Sequence, residues 1–142
     1  MTDTIEHPLR RQPDGEGNVL MEISNEMVRL YKQQFGRGPT SVRTVWAGPD
    51  VLTVILESTL TPAERNLVRL GQHERLRETR LYFQYASVRD FCEPVERLTG
   101  RKVRAFVSGT DSEVDGLSIE TFVLWPRDAE GVQSRIELSA LA

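Results

Sequence analysis

The chain has 142 residues, a mass of 16.2 kDa, 39% apolar and 27% charged residues, and a formal charge of −3. That balance excludes a disordered polymer and a disulfide-stapled mini-protein, and it suits one soluble globular domain with a core of its own. A single cysteine, Cys92, excludes an intramolecular disulfide and fits a reducing compartment.

Residues 1–18 hold Pro8, Pro13, Gly15 and Gly17 among few apolar groups, and are expected to form a flexible tail. The opening stretch from Met1 to Arg11 has no apolar core of the kind a secretory signal needs. Leu20, Ile23, Met27, Leu30 and Tyr31 then recur at spacings of three and four, which predicts an amphipathic helix ending at Gly36. Val42–Ala47 and Val51–Glu57 are rich in β-branched residues around Gly48-Pro49-Asp50, which predicts a β-hairpin. The stretch Val51–Leu56 is almost continuously apolar, as in a central strand, yet far short of the about 20 residues of a membrane helix.

Thr61-Pro62-Ala63-Glu64 is the sharpest local signal. Thr61 can cap the Glu64 amide, Glu64 can answer at the Thr61 amide, and Pro62 fits the first helical position. The helix is expected to continue past Gly71 to about Ala86, although the alternation Leu81, Phe83, Tyr85 would also suit a strand. Ser87 to Asp90 reads as another cap, followed by Val88, Phe91, Cys92, Val95 and Leu98 on one helical face up to Gly100. Lys102–Ser108 and Leu117–Trp125 predict two more strands, and residues 127–142 a weakly ordered tail. The order α-β-β-α-α-β-β predicts one α+β domain over 19–126. Two helix–β-hairpin units would form a four-stranded, mostly antiparallel sheet with helices packed on one face.

The two hairpins begin alike. Val42, Arg43, Gly48 and Asp50 match Val103, Arg104, Gly109 and Asp111 without a gap, and Gly36-Arg37 answers Gly100-Arg101 upstream. An internal repeat predicts equivalent places for Arg43 and Arg104.

Few residues point to a reaction. Gly36-Arg37-Gly38-Pro39-Thr40 follows a helix and opens a strand, the reverse of a phosphate loop. His7 and His73 have no convergent partners for a metal. Cys92 sits on an apolar helix face and reads as core. Glu64, Glu74 and Glu78 read as a solvated, charge-alternating helix face. The expectation is therefore no enzyme, no cofactor and no metal site. The arginines are the candidate anion- or partner-binding set: Arg37, Arg43, Arg77, Arg80, Arg101 and Arg104.

Five segments carry a family resemblance. They are Glu22-Ile-Ser-Asn-Glu-Met-Val-Arg-Leu-Tyr31, Phe35-Gly-Arg-Gly-Pro-Thr40, Ala47-Gly-Pro-Asp-Val51, Leu60-Thr-Pro-Ala-Glu-Arg-Asn-Leu67 and Thr99-Gly-Arg-Lys-Val-Arg-Ala-Phe-Val-Ser-Gly109. Over about residues 20–126 the chain resembles the MpsC family. The resemblance implies association with a sodium-translocating, membrane-potential-generating system that includes a large antiporter-like membrane subunit. It carries over no catalytic residue.

The expected function is a non-catalytic accessory or regulatory component, cytoplasmic or peripheral to the inner face of the membrane, and self-associating as a homodimer or higher oligomer. The alternative is an anion or small-ligand sensor. Nucleic acid is the weakest partner class. The net charge hides a partition: residues 1–26 carry −4, residues 27–108 carry +6 and residues 109–142 carry −5. A basic body flanked by acidic ends leaves room for an anionic partner.

Overall fold

The computed structural model describes residues 14–127. Eight elements follow one another: α1 (Asp14–Phe35), β1 (Ser41–Trp46), β2 (Val51–Glu57), α2 (Pro62–Arg69), α3 (His73–Ala86), α4 (Val88–Thr99), β3 (Val103–Thr110) and β4 (Ser118–Leu124). The α+β reading holds, with one helix more than expected. Gly71 takes φ +71, which ends α2 and starts α3 in a new direction, so the single helix expected over 61–86 is two. Helix α1 begins at Asp14, so residues 14–18 of the expected tail are helical. Residues 1–13, and the C-terminal segment from residue 128 onward, lie outside the described residues.

The helix ends follow local chemistry. At α2 the capping box forms as predicted: the Thr61 amide donates to Glu64 Oε1 at 2.8 Å and the Glu64 amide to Thr61 Oγ1 at 3.2 Å. Ser87 precedes α4 but makes no side-chain cap. Helices α1 and α4 stop at Gly36 and Gly100, with φ +75 and +69, conformations that cost a side chain about 1 kcal/mol or more. Each glycine is followed by an arginine that donates across to a carbonyl just past the next hairpin. Arg37 Nη1 reaches Leu60 O at 2.6 Å, and Arg101 Nε reaches Trp125 O at 3.1 Å.

The four strands form one antiparallel sheet in the order β1-β2-β4-β3. Strands β2 and β4 are central, as the continuous apolar run of β2 predicts. Leu52, Val54 and Leu56 of β2 and Phe122 and Leu124 of β4 face the helices. They meet Ile23, Met27, Leu30 and Tyr31 of α1 and Phe91, Cys92 and Val95 of α4 in one core. Cys92 is thus a core residue. Burial also pushes its thiol above the usual range, which keeps it protonated and unreactive.

The gapless match between hairpins breaks at Arg104, where the β3–β4 register shifts between Val103 and Ala105. Beyond it Thr44 is buried while Ala105 is exposed. Gly48 lies in the β1–β2 loop at φ +132, whereas Gly109 lies inside β3 opposite Ile119.

Candidate functional site

The first half of helix α3 exposes Glu74, Arg75, Arg77 and Glu78, but its second half is built inside out. The buried residues of the helix are Leu76, Arg80 and Gln84, four apart and therefore on one face. Its outward residues include Leu81 at 41%, Tyr82 at 72%, Phe83 at 45% and Tyr85 at 46% exposure. An ordinary surface helix has the opposite distribution.

The inward face is held by a polar network. Arg80 Nε and Nη2 donate to Glu64 Oε2 and Oε1 at 2.5 and 2.7 Å, a two-pronged pair, and Nη2 also reaches Thr59 O at 2.6 Å. The guanidinium lies over the Phe35 ring, 3.9 Å from its centre. Burial alone would push the Glu64 carboxyl up. The Arg80 hydrogen bonds, the Thr61 amide and the Arg80 charge outweigh it, and the group sits below the usual carboxylate range.

One turn further along α3, Gln84 Nε2 donates to Glu120 Oε1 at 3.2 Å, and the same oxygen accepts from Tyr31 Oη at 2.5 Å. Glu120 is fully buried on the helix-facing side of β4. Burial pushes its carboxyl up to about 7. The Tyr31 hydroxyl, the Arg80 charge and Gln84 pull it down without cancelling that effect. Burial, reinforced by Glu120, pushes the Tyr31 phenol well above its ordinary range, so Tyr31 remains the donor. Glu120 Oε2, Gln84 Oε1 and Ser108 Oγ make no hydrogen bond among the described residues. Glu120 therefore pins α1 and α3 to the sheet. At the start of α3, His73 Nδ1 lies 2.9 Å from the buried Ser112 Oγ, which ties the helix to the β3–β4 loop.

Between α1, α2 and α3 opens a mostly apolar cleft of about 320 Å³, walled by Phe35, Leu67 and Phe83 and floored by Arg80 and Glu64. Phe83 sits edge-on to Phe35 and Tyr82, so the cleft runs into the exposed aromatic patch of α3. Apolar surface beside a neutralised ion pair can hold another apolar surface.

The six candidate arginines do not converge. Arg80 is buried in the Glu64 pair, and Arg37 donates to Leu60 O. Arg101 binds Asp50 and the carbonyls of Pro49 and Trp125. These three hold the fold together. Arg43, Arg77 and Arg104 are exposed, and none makes an ion pair among the described residues. The Arg104 guanidinium lies 5.0 Å from the centre of the Trp125 ring. No group of three or more His, Cys, Asp or Glu that could hold a metal ion occurs among the described residues. Sequence reasoning passed over Glu120 and Gln84, and took Tyr31 only as part of the apolar stripe of α1. Their one sequence signal is a glutamate at the alternation position that Phe122 and Leu124 share.

No helix of the described residues is long and apolar enough to cross a membrane. Helix α1 has the length, with 22 residues, but too polar a composition. An uncharacterized protein of Bacillus subtilis (strain 168), YbcI, is 31% identical over 94 residues, which is 64% of this chain and 73% of that protein. No solved structure matches the chain. The family described as "Na+-translocating membrane potential-generating system (MpsC)" matches residues 16–125, from the first turn of α1 to the end of β4, and the chain belongs to that family.

Proposed function

We propose that the protein is a non-catalytic accessory component of a Na+-translocating membrane potential-generating system. In this reading it works from beside the bilayer and docks the outward face of α3 onto the ion-translocating membrane subunit. The family membership supports the system. The observation that carries the docking role is the second half of α3, where Tyr82 stands exposed between the half-buried Leu81, Phe83 and Tyr85 while Arg80 and Gln84 anchor the helix below. A buried polar anchor fixes the rotation of the helix, so the aromatic face is presented rigidly. Aromatic residues are the side chains that most often carry binding energy at interfaces.

Membrane sedimentation in cells that express the membrane subunit tests this. The wild-type chain is expected in the membrane fraction. Tyr82→Asp is expected to move it to the supernatant by at least tenfold, with an unchanged melting temperature because Tyr82 is largely exposed. A wild-type chain found only in the supernatant, or a variant that sediments like the wild type, contradicts the reading.

An anion or small-ligand sensor is the second reading. It is supported by the exposed guanidinium groups of Arg43, Arg77 and Arg104. Its mark is a rise in melting temperature with millimolar bicarbonate, phosphate or nucleotide that is lost in Arg104→Ala. No rise with any of the three removes it.

A further inference from the structure

The sheet has a second face, turned away from all the helices, and nothing among the described residues covers it. Its centre is formed by Val51 and Ile55 of β2 and Ile119 and Val123 of β4, with Val45 and Val107 on the edge strands. An antiparallel sheet with one solvated face normally alternates apolar and polar residues. Strand β2 loses that alternation: Leu52, Val54 and Leu56 fill the core while Val51 and Ile55 occupy the open side. The two central polar residues of this face, Thr53 and Thr121, stand opposite each other with hydroxyl oxygens 3.3 Å apart. One hydroxyl donates to the other, so this pair uses one of the two donors at the middle of the face. Val107 remains 58% exposed, Ile119 39% and Val45 36%.

We infer that this face packs against the same face of a second copy of the chain. Four strands at about 4.8 Å spacing and about 3.3 Å per residue give a plan area near 400 Å². With the relief of the side chains, that is about the 500 Å² per partner that a specific interface needs as a minimum, at the small end of stable dimers. Sheets stack face to face at about 10 Å, and interlocking β-branched side chains are the usual filling of that gap. A two-fold interface must complement itself, and this face does: an apolar centre, with one charge of each sign, Arg43 and Glu57, toward the β1–β2 side. Neither charge is in an ion pair among the described residues. The assembly is a four-layer sandwich, helices outside and sheets inside, and it leaves the α3 face of each copy free at opposite ends. It stands apart from the docking role of α3, since the two surfaces lie on opposite sides of the sheet.

Sedimentation velocity of the full-length chain between 1 and ~100 μM, a range that covers ordinary dimer affinities, tests the inference. The wild-type chain is expected to run as a dimer, twice its mass of 16.2 kDa. Ile119→Lys is expected to raise the dimer dissociation constant at least 100-fold and give a monomer with an unchanged far-ultraviolet spectrum. Tyr82→Asp is expected to leave the dimer intact. A wild-type monomer at ~100 μM overturns the inference and gives the face to another occupant, residues 128–142 of this chain or a different protein. A dimer that survives Ile119→Lys but not Tyr82→Asp overturns it by placing the second copy on α3. If the dimer behaves as expected and Tyr82→Asp still sediments with membranes, only the α3 reading has failed.

Discussion

Arg80→Ala is expected to be among the most damaging single substitutions in the chain, lowering stability by about 3–5 kcal/mol. A protein of this size then loses roughly 10 °C or more in Tm. The cause is not the loss of a surface ion pair, which is worth little. Arg80 is 1% exposed and its partner's side chain 13%. Removing the guanidinium strips Glu64 of its two-pronged partner, leaves the Thr59 carbonyl without its donor and empties the space over Phe35. Urea unfolding measures the effect. The double variant Arg80→Met with Glu64→Gln is expected to recover much of the loss, because it leaves no uncompensated charge and Gln can still complete the cap at Thr61. A loss below about 1 kcal/mol for Arg80→Ala, or strict additivity in the double variant, contradicts this account of the anchor.

Stability is expected to fall as pH rises from 5.5 to 8, against the habit of most small proteins. Glu120 holds its proton up to about pH 7 in the folded chain, while in the unfolded chain it releases it near the ordinary 4.5. Between those values the folded state binds the extra proton, so raising pH favours unfolding. The loss over this interval is about 2 kcal/mol. Glu64 works the other way at lower pH. Its carboxyl is depressed in the fold, so its contribution is present above the unfolded value and disappears as pH falls through the folded one. Glu64 thus adds a loss on the acid side, and Glu120 a loss on the alkaline side. Glu120→Gln keeps an acceptor for Tyr31 and carries no charge to bury, so its urea stability is expected to be flat from pH 5.5 to 8. A wild-type chain with no downward slope there, or a variant that keeps the slope, overturns the assignment.

What could be read in advance was what neighbouring residues decide. The capping box at Thr61–Glu64 needs four consecutive residues and is present as read. The central place of β2 follows from its apolar run. Helix α3 was ambiguous for a physical reason. Its buried positions carry Arg80 and Gln84 and its exposed positions carry Tyr82 and Tyr85, so the apolar spacing that marks an amphipathic helix is absent. The roles of the buried residues depend on distant partners: Tyr31 lies 89 positions from Glu120. The bulge at Arg104 adds one residue to β3 without any glycine to announce it, and so separates Arg104 from the strand position of Arg43.

The fold thus uses polar residues to hold an apolar helix face outward and leaves a β-branched sheet face open on the other side. Site-specific photo-crosslinking in cells that carry the membrane subunit probes the outward helix face. With a photoreactive phenylalanine analogue in place of Tyr82, an adduct between this chain and the ion-translocating membrane subunit is expected. An adduct yield at position 82 no greater than at the exposed Glu57 on the far side of the sheet would contradict it.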